Sequence, residues 1–300
     1  MGMIIGIGEL LWDMLPSGAQ MGGAPANFAC HARALGADTM VVSAVGDDSP
    51  GHDIIRRLQR MEVDTCGIAI DPDHATGRVD VDLGAGGQPS YTIHTDAAWD
   101  HIPAPSEIVA IASTADAICF GTLGQRGHAS RTSVRTLLES AGPDCLRVLD
   151  VNLRQHFYSR ELIHESLLMA NVVKLNDEEL RMVSPMLGIP GESLEKQLGG
   201  LLERYSLRLV ACTRGGEGSL LHNGHTCLAH PGRETTVADT IGAGDSFTSA
   251  LTLGLLKGWP LVQIAETANA VAAHVCSCTG AIPPMPENLI ALFQPTGQPA

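Results

Sequence analysis

The chain has 300 residues, 44% of them hydrophobic and 17% charged, and a formal net charge of −14. That acidity argues against DNA, RNA or an anionic membrane as partners, because each of those needs a basic surface. No apolar run approaches the length that spans a bilayer, and the first residues, MGMIIGIGELLWDMLP, carry neither a basic region nor a small-residue cleavage site, so a cytoplasmic protein is expected.

In chain order, residues 4–11 predict a first buried strand that ends near Asp13. The segment MGGAPANFACHARALGA (21–37) follows. Gly22 and Gly23 let the backbone approach a ligand closely, and Pro25 suits the first turn of a helix over 25–35 that Gly36 stops. A strand over 39–44 and a helix over 54–61 come next. GRVDVDL (77–83) and SYTIHT (90–95) change the rhythm to a period of two, with Val79, Val81 and Leu83 opposite Arg78, Asp80 and Asp82. They predict a half-exposed hairpin joined by GAGGQP. A small sheet projecting from the body, drawn from about 10–22 and 66–100, is expected to act as a lid.

Beyond it, strands at 117–120, 147–151, 172–175 and 208–213 alternate with helical patterns at 128–141 and 193–205. A second hairpin over 218–230 turns at Asn223-Gly224, and a short Pro/Gly tail follows Phe293. This alternation predicts an α/β fold of three layers, α/β/α, around a mostly parallel sheet, as one domain over residues 1–300. The eight cysteines sit mostly in apolar runs, as reduced buried thiols do, and Cys276-x-Cys278 has no second pair at zinc spacing.

The chemistry concentrates in VADTIGAGDSF (237–247). Gly242, Ala243 and Gly244 turn directly into an apolar helix headed by one carboxylate, Asp245. Converging N–H groups at such a turn hold an anion, with the helix dipole adding positive potential. A carboxylate there would repel a permanent phosphate, so its expected task is to take a proton from a hydroxyl attacking a phosphoryl group. A plain tight turn with an N-terminal helix acid explains this stretch alone equally well. No Walker G-x-x-x-x-G-K-[ST] occurs, and GIGEL (6–10) does not complete G-x-G-x-x-G, which disfavours a nicotinamide-dependent oxidoreductase. Asn27 offers both a donor and an acceptor to a sugar hydroxyl, and Asp13 can accept from two vicinal hydroxyls.

GGAPANFA and DTIGAGDSF, in that order, resemble the two signatures of the ribokinase-like (PfkB) carbohydrate kinases. AVGDDSPG (44–51), DVNLR (150–154), KLNDEE (174–179), TRGGEGS (213–219) and ANAVAAHVCSCTGAIPPMP (268–286) stand between and beyond them in the family's order, so the resemblance covers essentially the whole chain. It implies ATP and Mg2+ as cofactors. Asp245 is then the base, and Gly242, Ala243 and Gly244 form the anion hole. Asp13, Gly22, Gly23 and Asn27 are implied as sugar contacts. Arg154 and Lys174 would meet phosphate or substrate charge. Asn176 and Glu179 match the N-x-x-E element that organises Mg2+ through water. Thr213, Gly215 and Gly218 lie in the implied nucleotide loop, and Asn269 borders the adenine. Asp239 and the Ile241 carbonyl match half of a K+ site, but Pro284 stands where the ribokinase pattern has a serine hydroxyl.

GELLWDMLP, CFGTLGQR (119–126) and AAWDHI (97–102) resemble the fructokinase-like branch, which implies fructose, phosphorylated at its 6-hydroxyl. A sugar acid such as 2-keto-3-deoxygluconate calls for clustered lid arginine and tyrosines, whereas 77–100 holds only Arg78 and Tyr91. Adenosine calls for aromatic faces, and aromatics make up 4% of the chain. Ribose and other sugars stay open at this stage, as does a non-catalytic sugar sensor on the same fold. The resemblance also implies a homodimer clasped through the lid.

Overall fold

The computed structural model describes residues 2–15, 18–83 and 89–294, so most of the GAGGQP connection and the tail from residue 295 lie outside the described residues. The strands are β1 (Ile4–Ile7), β2 (Leu11–Leu15), β3 (Gly18–Gly22), β4 (Thr39–Gly46), β5 (Ile68–Asp71), β6 (Gly77–Leu83), β7 (Pro89–Ile93), β8 (Ala117–Gly121), β9 (Leu146–Asp150), β10 (Val172–Asn176), β11 (Leu209–Thr213), β12 (Ser219–His222) and β13 (Cys227–His230). The helices are α1 (Ala24–Ala34), α2 (Ser49–Arg60), α3 (Ser106–Ala112), α4 (His128–Ser140), α5 (Arg160–Met169), α6 (Asp177–Met186), α7 (Leu194–Tyr205), α8 (Ala243–Leu256), α9 (Leu261–Cys276) and α10 (Glu287–Leu292).

Nine strands form one sheet in the order β13-β12-β11-β10-β9-β8-β1-β4-β5. The pairs from β11 across to β5 are all parallel, and only the β11–β12–β13 edge is antiparallel. The expected three-layer fold is present. Strand order reverses beside β1, and the crevice above such a switch point is where open α/β sheets bind ligands. The central strands read as continuous apolar runs because helices cover both of their faces. Ile5, Ile118, Leu149 and Val173 pack toward α4, α5, α6 and α7, while Ile4, Ala117, Val148 and Val172 pack toward α1, α8 and α9.

That parity decides where the unusual residues point. Gly6 shares the α1 face with Ile4, and a Cβ on it would collide with the Pro25 carbonyl oxygen, so α1 can lie directly on β1. Asp150 and Lys174 share a face with Val148 and Val172, which turns both charged side chains toward α8.

A separate four-stranded sheet runs β3-β2-β6-β7. The β6–β7 hairpin is antiparallel as its alternation predicts, with Val79 buried and Arg78 exposed. Three expectations need correction. The first strand does not extend over 4–11. It stops at Ile7, and Leu11 opens β2 in the small sheet. Asp13 therefore sits in mid-β2, opposite Gln20 and Val79, and not at the end of the first strand. The segment from residue 66 contributes β5 to the large sheet, beside β4, so the small sheet is built from 11–22 and 77–93. An apolar run cannot show which sheet it joins, since both offer it a buried face. No helix among the described residues is long and apolar enough to cross a membrane.

Candidate active site

Groups from both sheets and from the helices α1 and α8 come together beside the ends of β9 and β10. Gly242, in the left-handed region at φ 78°, caps α8, and Asp245 lies in that helix's first turn. A Cβ on Gly242 would meet the Ala281 backbone, so only glycine fits this turn. Opposite, Gly23 at φ 121° caps α1, with Pro25 in the first turn. Asn27 on α1 donates from Nδ2 to Asp245 Oδ2 at 2.8 Å. The two glycine turns that stand far apart in sequence thus meet through one hydrogen bond. Since Asn27 turns its amide N–H to the carboxylate, its Oδ1 is buried without a protein partner.

Lys174 and Asp150 lie beneath them as a buried ion pair, Nζ 3.1 Å from Oδ1 and 3.2 Å from Oδ2. Thr248 of α8 donates its hydroxyl to Asp150 Oδ2 at 2.8 Å. Nζ would lie only 2.9 Å from a Cβ on Gly244, which places the ammonium directly under the Gly242–Ala243–Gly244 turn. Burial pulls the Lys174 pKa down, but Asp150, Glu179 and Asp245 outweigh it and hold it above the ordinary value. Asp245 is pushed up to about 6, first by burial and then by Asp150, with Asn27, Lys174 and Arg154 opposing.

On the small-sheet side, a Cβ on Gly22 would run into Asp13 Oδ2, and one on Gly23 into the Glu9 carbonyl. Asp13 is pushed up to about 6 by burial, with Arg154 opposing. Arg154 itself is exposed and donates to the Leu153 carbonyl. Glu9 is 3% exposed. Its Oε1 accepts from Ala24 N at the start of α1, its Oε2 is buried without a partner, and burial drives its pKa to about 7.

The N-x-x-E element proves first of all to be a capping box. Glu179 N donates to Asn176 Oδ1, and Asn176 N donates to Glu179 Oε2, each at 2.8 Å. Glu179 Oε1 also accepts from Leu153 N at 2.8 Å, tying α6 to the DVNLR loop. Thr213 ends β11, and Gly215 and Gly218, at φ 53° and 81°, shape the turn that follows. Asn269 is buried and donates to Ser219 Oγ and the Ala265 carbonyl, so its amide pins α9 to β12. The Asp239 carboxylate accepts from Ile241 N at 3.0 Å and Gly280 N at 3.1 Å, closing two loops on each other.

Three groups escaped assignment in the sequence. Asp150 lies within DVNLR, but its pairing with Lys174 depends on the β9–β10 register. Thr248 is one of several small polar residues on α8. Glu9 looks like an ordinary polar-turn residue. Its burial sets a pH dependence of stability. The folded pKa of about 7 exceeds the value of 4.5 expected for the free side chain. Its ionisation thus penalises the native state as pH rises from about 4.5 and in full above about 7. Glu9→Gln is expected to gain on the wild type between pH 5 and pH 8, by up to about 3 kcal/mol. Urea unfolding at both pH values checks this, and a difference that does not widen with pH refutes it.

The fold, with its glycine-capped helix and crevice above the switch point, defines a ribokinase-like α/β protein. The chain belongs to the pfkB family of carbohydrate kinases, whose model matches residues 18–288. It is 32% identical to a sugar kinase of Pyrococcus horikoshii, across 91% of this chain and 89% of that one. The crystal structure of that uncharacterized sugar kinase aligns with a TM-score of 0.81 at 29% identity over 94% of each chain, and its complex with ATP aligns at 0.79 and 30%. A fructokinase of Salmonella typhimurium is 27% identical over 92% of this chain and 95% of that one.

Proposed function

We propose that this carbohydrate kinase transfers the γ-phosphate of ATP to a hydroxyl of a small neutral sugar, with fructose, at its 6-hydroxyl, as the preferred acceptor. The observation that carries this reading is the Asn27–Asp245 hydrogen bond, which leaves Asn27 Oδ1 as a buried acceptor facing no protein donor. Oδ1 is closed to solvent as it stands, so a sugar hydroxyl satisfies it when Asn27 turns toward the ligand, while a second hydroxyl donates to the neighbouring carboxylate. Asp13, Gly22, Gly23 and Arg154 complete the sugar side, where the two glycines admit a ligand against bare backbone.

In the forward reaction Asp245 takes the proton of the attacking hydroxyl as the oxygen reaches phosphorus in line, and the β-phosphate leaves. N–H groups of Gly242 and Gly244, joined by that of Ala243 when it gives up its long 3.4 Å bond to the Thr240 carbonyl, receive the charge on the transferring group, and Lys174 beneath them supplies positive potential without having to move. Thr213, Gly215 and Gly218 flank the nucleotide, Asn269 shapes the wall behind it, and the P. horikoshii relative's complex with ATP supports that donor. Asn176 and Glu179 fit a magnesium site reached through water. Glu179 is buried, its oxygens already accept two backbone N–H groups, and burial raises its pKa despite Lys174, so direct coordination would cost it the cap bond to Asn176 N and the tie to Leu153 N. Bound Mg2+ would offset phosphate charge. Asp239 and Ile241 lie beside the anion hole, where a monovalent cation would sit. The small sheet carries Asp13 and acts as the lid that excludes water. Tyr91 on β7, 51% exposed, is one apolar group that this lid offers a second copy of the chain. A cytoplasmic setting supplies the ATP.

Two carboxylates, Asp13 and Asp245, stand on the acceptor side, against Arg154 as the exposed arginine beside them among the described residues. That balance disfavours an acceptor already bearing a phosphate or carboxylate, although an ATP-dependent 6-phosphofructokinase of Thermoanaerobacterium thermosaccharolyticum is 26% identical. The test is ATP-dependent phosphorylation of fructose, fructose 6-phosphate, ribose, tagatose, 2-keto-3-deoxygluconate and adenosine, with Mg2+, with and without K+. A preference for fructose is expected. A charged sugar or a nucleoside as best acceptor overturns the substrate, and folded protein inactive on all six overturns catalysis in favour of a sugar sensor.

A further inference from the structure

Away from the crevice, the chain enters the small sheet through residues 72–76, between β5 and β6, and leaves it through residues 94–101, after β7. The two passages lie side by side, with Ala98 N donating to the Ala75 carbonyl at 2.9 Å. His74 stands on the first, Asp96 and His101 on the second. Each offers one donor atom, and the three atoms lie within 4.8 Å of one another. His74 Nε2 is 3.7 Å and His101 Nε2 3.0 Å from the same oxygen, Asp96 Oδ1. Those separations bracket the roughly 3.4 Å edge of a tetrahedron with metal–ligand bonds of about 2.1 Å.

His74 also has the support that metal-binding histidines have. Its Nδ1 lies 2.8 Å from Asp71 Oδ2, while Asp71 Oδ1 accepts from the N–H groups of Asp73 and His74. Asp71 thus fixes the ring so that Nδ1 carries the proton and Nε2 presents its lone pair. The His74 and His101 rings stack with centroids 3.6 Å apart. His101 ends a short 3-10 turn and is partly exposed, so it can swing off the stack to converge on an ion while His74 stays pinned. Asp96 is exposed and free to follow.

We propose that His74, Asp96 and His101 form a site for a divalent transition metal of the zinc class, which cross-links the two passages into the small sheet. Two imidazoles and one carboxylate with a position open to solvent suit zinc, and not Mg2+ or Ca2+, which prefer oxygen ligands. Asp71 and Asp96 match the ion's charge. The site is separate from the phosphoryl-transfer crevice and does not depend on the reading given for it.

Chelator-stripped full-length protein, titrated with ZnCl2 in the presence of millimolar MgCl2, tests this by isothermal calorimetry and bound-metal analysis. The wild type is expected to take up one more equivalent than His74→Ala/His101→Ala, and its Tm to rise by about 2 °C or more where the variant's does not. Asp71→Asn, which removes no ligand, is expected to weaken that equivalent about 10- to 100-fold. Cys276→Ser/Cys278→Ser is expected to keep it, separating it from zinc held by Cys278 and His274, whose Sγ and Nε2 lie 3.9 Å apart. If the double histidine variant folds poorly, His101→Ala alone replaces it. Equal zinc uptake by wild type and histidine variant overturns the proposal, as does loss of the extra equivalent in the cysteine variant.

Discussion

Asp245→Asn is expected to lower turnover about 10²- to 10⁴-fold while leaving the sugar bound within a few-fold of wild type. The amide keeps the shape of the side chain and can still pair with Asn27, given an amide flip, so the sugar pocket should survive. What it loses is the ability to accept a proton. As the proposed base, Asp245 would act only as the carboxylate, and its pKa is pushed up to about 6 by burial and by Asp150. Activity is therefore present above that value and falls as pH drops through it. Asp13, also near 6 and placed on the sugar side, titrates in the same window, so where both carboxylates must be ionised the acid limb of kcat/KM should be steeper than a single proton gives. In Asp245→Asn the residual turnover should lose its dependence on the base, while sugar binding keeps the Asp13 component. Steady-state kinetics from pH 5 to 8, with sugar affinity by calorimetry, make the check. Near-normal turnover in the variant removes Asp245 from the chemistry.

Much of this arrangement could be read from the chain because its signals are local. A glycine that must adopt positive φ, as Gly23 and Gly242 do, announces a turn whatever packs around it. Strands β8 to β11 show as apolar runs because both of their faces are covered. The second hairpin turns at Asn223-Gly224, with Gly224 at φ 88°. What could not be read depends on partners distant in sequence. The run from Ile4 to Leu11 is apolar throughout, yet it serves two sheets, and the break at Gly8-Glu9 exists because α1 and the Gly124 loop close around Glu9. The Asn176-x-x-Glu179 spacing is that of a capping box as well as of the metal-organising motif it resembles, and the cap is what holds Glu179 in place for the proposed role. Asp150 is one carboxylate in a familiar pentapeptide until the β9–β10 register sets it against Lys174.

That register makes Lys174→Met the second large effect. Both members of the pair are buried, with side chains 8% and 6% exposed, and Asp150 has Thr248 as its one further partner among the described residues. Removing the ammonium leaves Asp150, Glu179 and Asp245 as neighbouring carboxylates with no cation beneath the glycine turn. A buried charge deprived of its partner costs about 3–5 kcal/mol, and urea unfolding at pH 7.5 should show a loss of that size. The same substitution removes one of the groups that hold the Asp245 pKa down, so the acid limb of kcat/KM should move above pH 6. Asp150→Asn/Lys174→Met distinguishes loss of the pair from loss of the lysine. With both charges gone the desolvation cost disappears, and stability should return to within about 1–2 kcal/mol of wild type. Asp150 is also what pushes Asp245 upward, so the acid limb should fall back toward its original position in the double variant. Turnover should not recover with it if, as proposed, the lysine's charge under the glycine turn serves the transferring phosphoryl group. Full recovery of turnover in the double variant would make Lys174 a counter-ion for Asp150 and nothing more. Unchanged stability in Lys174→Met would mean that water reaches the pair and that the crevice floor is wetter than its burial implies.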